Sequence, residues 1–109
     1  MLTPLKPNWF HILLTLSDEP HHGYSIMREV EDRTDGKLKL WPATLYGTIR
    51  RLEEEDLIAA VDYEPDDGSD DERRQYYMLT KFGRRVLRAE VERLERLVRI
   101  ARAKTALSR

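Results

Sequence analysis

The segment from residue 41 to residue 58 constrains the fold most, because its residue types divide into two faces at the spacing of an α-helix. At 100° per residue, Leu45, Ile49 and Leu52 fall on one apolar stripe. The other side of the same helix carries small, hydroxylated and cationic residues: Ala43, Thr44, Gly47, Arg50 and Arg51. Pro42 suits a first helical position, where its missing N–H is no loss. The pattern predicts a helix that packs on its own domain by one face and leaves the other face free.

The free face of this helix has the residue types that contact nucleic acid. Small residues let the backbone approach a partner, and Arg50 and Arg51 can reach phosphates or the O6 and N7 acceptors of guanine. The alternative is an ordinary amphipathic helix with a solvated basic face. On this helix alone the two interpretations are equally supported.

Length and charge limit the class of protein. A chain of 109 residues predicts one domain with a single modest core, and the absence of cysteine excludes disulfides and thiolate metal sites. The 19 basic residues nearly balance 20 acidic ones, so affinity for nucleic acid must come from a local patch. The chain has neither the ~20-residue apolar stretch of a membrane span nor a signal-peptide pattern. We therefore expect a cytoplasmic protein with no membrane partner.

The remaining segments predict further helices and one hairpin. In order, we expect a helix over 8–17, a turn over 18–23, a helix over 24–34, an extended piece over 37–40, the helix already described, and strands over 58–63 and 73–79. Residues 64–72 form the polar, strongly acidic tip between the two strands.

A long helix is predicted to close the chain, capped by Thr80 and continuing to about Lys104. Its apolar residues follow an a/d seam: Leu87, Val91, Leu94, Val98 and Ala101. At 1.5 Å per residue such a helix is roughly 40 Å long, which is more than so small a domain can cover. We expect the seam to meet another subunit.

Together these elements predict a mainly α fold with a small β-hairpin wing, that is, a winged helix-turn-helix with a long C-terminal dimerisation helix. Residues 1–79 form the winged DNA-binding domain. Residues 80–109 form the dimerisation helix, which packs on the first helix so that the whole is one structural unit.

Enzymatic chemistry has no support in the residue pattern. His11, His21 and His22 lack metal-ligand spacing, and we find no phosphate-cradling glycine loop and no nucleophile motif. The sequence predicts no enzyme, no metal and no cofactor.

Four motifs occur together along residues 9 to 102. They are residues 12–16 leading to His22-Gly23-Tyr24; Thr44-Leu45-Tyr46-Gly47 followed by Arg51-Leu52-Glu53; Leu57-Ile58; and residues 73–80 with Gly83 beyond them. In residue type, order and spacing they resemble the PadR-like family of bacterial transcriptional regulators. Where Trp41 and Ala43 stand, members of that family commonly carry small residues such as Ser or Gly.

The resemblance implies a homodimeric repressor whose third helix enters the major groove of an operator in double-stranded DNA, with an inverted repeat matching the two-fold axis. Carried over by position, the recognition-helix candidates are Thr44, Tyr46, Gly47, Arg50 and Arg51. His22 and Tyr24 stand where the second helix starts near phosphates. Arg73 and Arg74 stand at the base of the wing.

The resemblance also implies that the first helix joins the last helix in the dimer interface, through Trp9 and Leu13. Trp9 either fills the dimer core, which we favour, or stacks on a small aromatic effector.

A second function remains open at this point. Because the net charge is −1 and the wing tip is acidic, the chain could instead be a winged-helix protein-interaction module that no longer binds DNA.

Overall fold

The computed structural model describes residues 2–63 and 74–105. The elements in chain order are α1 (Pro7–Thr15), β1 (His21–His22), α2 (Gly23–Arg33), α3 (Pro42–Glu54), β2 (Ile58–Val61), β3 (Tyr76–Leu79) and α4 (Lys81–Thr105). The predicted mainly α architecture with a small β wing and a long last helix is confirmed. The strands are shorter than predicted, and residues 37–40 form no strand.

The sheet has three antiparallel strands in the order β1-β3-β2. In β2 and β3, Ile58 lies opposite Leu79 and Val61 opposite Tyr76, as expected for a hairpin. The turn predicted over residues 18–23 is wrong in part. His21 and His22 form a third strand, β1, and pair with Tyr77 and Tyr76 of β3. Two histidines are too short a segment to show the alternation and β-branched residues that mark a strand.

The core lies between α1, α2, α3 and the sheet. The predicted apolar stripe of α3 is buried, with Leu45, Ile49 and Leu52 at most 2% exposed. It packs in one cluster with residues from the rest of the fold: Ile12 of α1 and its C-cap Leu16, Ile26 and Val30 of α2, Leu57, Ile58, Leu79 and Val86. One face of α3 is therefore committed to its own domain.

A backbone contact joins the start of α4 to the end of α3; we call Asp56, Leu57, Thr80 and Gly83 the α4 joint. Thr80 Oγ1 accepts the Gly83 N–H at 2.8 Å and donates to the Asp56 carbonyl at 2.7 Å, so the predicted cap is confirmed. The Thr80 N–H donates to the Leu57 carbonyl at 3.1 Å. A Cβ at Gly83 would overlap that carbonyl, so only glycine allows this approach.

A buried carboxylate fixes α4 to the N-terminal segment. Glu90 is 2% exposed, and its oxygens accept from Arg93 Nε at 2.7 Å and Arg93 Nη2 at 2.8 Å. Its Oε2 also accepts the Leu5 N–H at 3.1 Å. The carboxylate therefore satisfies a backbone donor as well as its ion-pair partner.

Beyond Glu90, α4 leaves the body of the protein. Its later apolar side chains are exposed, with Val91 at 36%, Leu97 at 44% and Val98 at 49%. The 25 residues of the helix give the molecule one long dimension, 52 Å against 29 and 27 Å. The C-terminal half of α4 has an apolar surface that the protomer does not cover.

Candidate nucleic-acid interface

The outer face of α3 is open to solvent. Ala43, Thr44, Tyr46, Arg50 and Arg51 are all exposed. A Cβ at Gly47 would meet nothing within 4 Å, so a partner can approach the backbone closely there. Within residues 2–63 and 74–105, Arg50 and Arg51 have no ion-pair or hydrogen-bond partner. Both guanidinium groups are therefore available to an anionic ligand.

The start of α2 carries a second group of cationic and aromatic side chains, which we call the α2 cluster: His22, Tyr24, Arg28 and Arg74. Tyr24 is 52% exposed, and the guanidinium carbons of Arg28 and Arg74 lie 5.8 and 6.0 Å from its ring centroid. The cluster lines a polar cavity of about 390 Å³ together with Ser25, Glu29 and Asp32. Arginines placed against an aromatic ring beside a helix N-terminus suit a phosphate contact.

His22 caps α2 from inside the cluster. Its Nδ1 accepts the Ser25 N–H at 3.2 Å, and Ser25 Oγ donates back to the His22 carbonyl at 3.0 Å. Arg74 Nη1 lies 2.8 Å from Nε2 of the same ring. A neutral imidazole accepts at one nitrogen only, so the contacts with Ser25 and Arg74 are alternatives.

Tyr46 connects α3 to α2. Its hydroxyl occupies the space that a side chain at Gly23 would need, so Tyr46 packs on the first residue of α2 although it is 49% exposed. Burial raises the pKa of Tyr77, and the nearby Glu53 and Tyr46 raise this pKa further. Tyr46 thus holds the outer face of α3 beside the α2 cluster.

Most of the predicted DNA-contacting residues are brought to one region. The outer face of α3 contributes Thr44, Tyr46, Gly47, Arg50 and Arg51, and the α2 cluster contributes His22, Tyr24 and Arg74. Arg73 and the acidic wing tip lie outside the described residues.

Two residues near this region are absent from the sequence-based set. Arg28 stands four residues after Tyr24 on α2, a helical spacing that could have identified it. Trp41, the N-cap of α3, is 64% exposed.

The predicted dimerisation residues separate into two sets. One set lines an apolar groove of about 390 Å³ between α1 and α4: Val91, Leu94 and Val98. Phe10 of α1, which was not predicted, lines the same groove with Glu95 and Arg99. Ala101 is exposed farther along α4.

By contrast, Leu13 and Leu87 are 0% and 7% exposed within the protomer. Trp9 is partly buried against the core, with Lys6 Nζ at 5.8 Å from its ring centroid. A role of Leu13 and Leu87 in the dimer stays a prediction. Because both are buried in the protomer, they could act only indirectly, by packing α1 and α4 against the core.

The described residues contain neither a membrane-spanning helix nor a metal-binding group. No helix in that part of the chain is long and apolar enough to span a bilayer. Over the same residues, histidines and carboxylates form no group of three that could hold a metal ion.

The helices, the three-stranded sheet and the exposed α3 define a winged helix-turn-helix protein of the DNA-binding regulator class. Residues 12–89 match the transcriptional regulator PadR-like family. The chain belongs to that family, whose members are transcriptional regulators and not enzymes.

The chain is also similar to individual proteins. An uncharacterized protein of Lysinibacillus sphaericus is 33% identical over 76 residues, which are 70% of this chain and 67% of that protein. A PadR-like transcription factor from Bacteroides fragilis superposes with a TM-score of 0.69 at 25% identity, covering 88% of this chain and 87% of its own. A transcriptional regulator from Clostridium thermocellum shares the fold, with a TM-score of 0.70 at 24% identity and coverage of 90% and 89%.

Proposed function

We propose that the protein is a homodimeric, cytoplasmic repressor that binds an inverted-repeat operator through α3. The observation that carries this proposal is that Arg50 and Arg51 have exposed guanidinium groups with no partner among the described residues, on a helix whose opposite face is buried in the core. A rigid helix with free cations on one side suits the major groove, where arginine pairs with guanine or with phosphate.

The α2 cluster supports the same orientation on DNA. With α3 in the groove, His22, Tyr24 and Arg74 face the sugar-phosphate backbone beside it, and Arg28 adds a cation to this set. We place Thr44, Tyr46 and Gly47 on the face of α3 nearest the bases, where the small residues Thr44 and Gly47 allow close approach. Arg73 lies outside the described residues, and its contact with DNA beside Arg74 stays a prediction from the sequence.

The apolar groove supports the proposed dimerisation. A second copy would cover Val91, Leu94, Val98 and Ala101, which the protomer leaves accessible. A two-fold axis then sets the two α3 helices on half-sites about 10 to 10.5 bp apart, or a multiple of this spacing.

In the assembled dimer we place Trp9 in the interface core; a small aromatic effector stacked on it is the alternative. A dimer bound to a promoter blocks polymerase, and this is the proposed mode of repression.

The proposal is tested by selecting bound duplexes from a random DNA pool and measuring affinity for the selected site at several salt concentrations. We expect an inverted repeat and a steep loss of affinity between about 50 and 200 mM salt, because phosphate contacts release counterions. If the wild-type protein retards no duplex at low salt, the chain is the protein-interaction module instead.

Arg51→Ala tests α3 itself. We expect affinity to fall at least a few-fold and the salt slope to decrease by about one for each phosphate interaction that the substitution removes. Arg96→Ala is the matched control, since it removes the same charge from the side of α4 that faces away from the apolar seam. Unchanged affinity in the double variant Arg50→Ala/Arg51→Ala would remove α3 from the interface.

A further inference from the structure

Trp41 is the most exposed large hydrophobic residue in the described part of the chain, at 64%. It is the N-cap of α3, yet its side chain makes no capping hydrogen bond, and it lies outside the buried cluster of the core. Neither helix capping nor core packing accounts for an indole at this position.

The exposed residues next to Trp41 are apolar as well. Pro42 and Ala43 are exposed, and their side chains cannot hydrogen-bond to a base edge. Arg50 and Arg51 lie about 14 Å farther along the helix at 1.5 Å per residue. The exposed surface of α3 is therefore apolar at its N-terminal end and cationic at Arg50 and Arg51, before Glu53 and Glu54 end the helix.

A lysine holds the indole from one side. Lys39 Nζ lies 5.1 Å from the Trp41 ring centroid and 3.7 Å from Glu31 Oε2. The ion pair with α2 positions the ammonium, and the ammonium attracts the π face of the ring. The indole is thus held at the end of α3 beside a positive charge, which suits a polyanionic partner with an apolar group in its groove.

Among the base-pair edges in the major groove of DNA, the apolar group is the 5-methyl group of thymine. We propose that Trp41 is a specificity-determining residue that contacts one thymine methyl in each half-site; this inference rests on the proposed function. The apolar end of α3 reads the methyl group, and Arg50 and Arg51 supply charge to the same groove.

The test uses the full chain and the operator obtained by selection. Each thymine of a half-site is replaced in turn by uracil, which lacks only the methyl group, and affinity is measured for the wild-type protein and for W41A. We expect one position where uracil weakens wild-type binding about tenfold. W41A should lose a similar factor on the intact operator and become insensitive to uracil at that position.

Salt dependence separates this contact from a charge contact. An apolar contact releases no counterions, so W41A should keep the wild-type salt slope while R51A lowers it. A lowered slope in W41A would show that Trp41 acts by positioning Lys39 on a phosphate, and would overturn the methyl contact.

Fluorescence gives an independent measurement. The chain has two tryptophans, so operator binding should change the tryptophan emission of the wild-type protein, and W41A should show a much smaller change.

The inference on Trp41 fails if the wild-type protein binds its operator but W41A binds it equally well, or if W41A keeps the full response to uracil. The proposed function stands in both cases. If no duplex is bound by the wild-type protein, the proposed function fails first. Circular dichroism checks that W41A is folded, which we expect because the substitution replaces an exposed side chain.

Discussion

At the scale of single residues, Glu90 shows how a buried charge is stabilised. The hydrogen bonds from Arg93 hold the pKa of Glu90 below its usual value; burial acts in the opposite direction, and the Leu5 N–H adds to the lowering. The ionised carboxylate is therefore favoured by the folded state.

The lowered pKa of Glu90 predicts that part of the folding stability is lost in acid. A carboxylate whose pKa is lower in the folded state contributes stability above the unfolded pKa of about 4.3, and this contribution is lost as the pH falls through the folded pKa. We expect Glu90→Gln to reduce the unfolding free energy near pH 7 by about 1–3 kcal/mol, since the buried Leu5 N–H and the Arg93 guanidinium lose a charged acceptor. Urea unfolding between pH 3 and pH 7 measures the difference.

The matched control is Glu92→Gln, which changes an exposed carboxylate on the same helix. It should follow the wild-type stability curve at every pH. If Glu90→Gln also follows that curve, the pair with Arg93 contributes nothing to folding.

Helical periodicity alone predicts most of the outer face of α3, whereas Tyr46 of α3 and His22, Tyr24 and Arg74 of the α2 cluster come from the resemblance to the PadR-like family. It does not predict Glu90 as a buried residue, since its Leu5 contact joins positions 85 apart. Trp41 is visible in the sequence, but its exposure and its contact with Lys39 depend on how α3 meets α2.

At the scale of elements, the four helices and the hairpin follow from apolar spacing, and their ends agree with the prediction to within a few residues. The strand β1 could not be found in this way, because its pairing is made by backbone groups of His21 and His22 against β3. The α4 joint is likewise a backbone contact, for which Gly83 is the one sign in the sequence.

Gly83→Ala tests the joint. The new Cβ would overlap the Leu57 carbonyl, and because that atom belongs to the backbone, α4 or β2 must move. We expect a loss of about 1–3 kcal/mol in unfolding free energy, the usual cost of overpacking. Thermal unfolding measures it.

Gly47→Ala is the control for this prediction. It makes the same change in open space on α3, where alanine favours the helix by up to about 1 kcal/mol. Its melting temperature should be equal to or above that of the wild type. Equal stability of the two variants would show that the joint tolerates a side chain.

At the scale of the whole molecule, the C-terminal half of α4 has an apolar surface that the protomer itself does not cover. Val98 is 49% exposed and lines the groove with Phe10 and Leu94. A second copy of the chain would remove this surface from water, which is the main favourable contribution to association.

Val98→Glu should therefore convert the proposed dimer into a monomer, because a carboxylate without a partner is costly to bury in an apolar interface. Sedimentation at micromolar concentration measures the change, and operator affinity should fall with it. Arg96→Glu, on the side of α4 away from the seam, should remain dimeric. A wild-type protein that sediments as a monomer, with or without operator, contradicts the dimer.

The α4 joint has a mechanical consequence for such a dimer. Leu57 follows α3 after a short turn, and its carbonyl lies against Gly83, so α3 and α4 cannot pivot independently without opening a backbone contact. A change in the angle between the paired α4 helices must therefore turn both α3 helices with it. The half-site spacing that the dimer can bind is then set by the tightly packed backbone of the α4 joint and not by a flexible hinge.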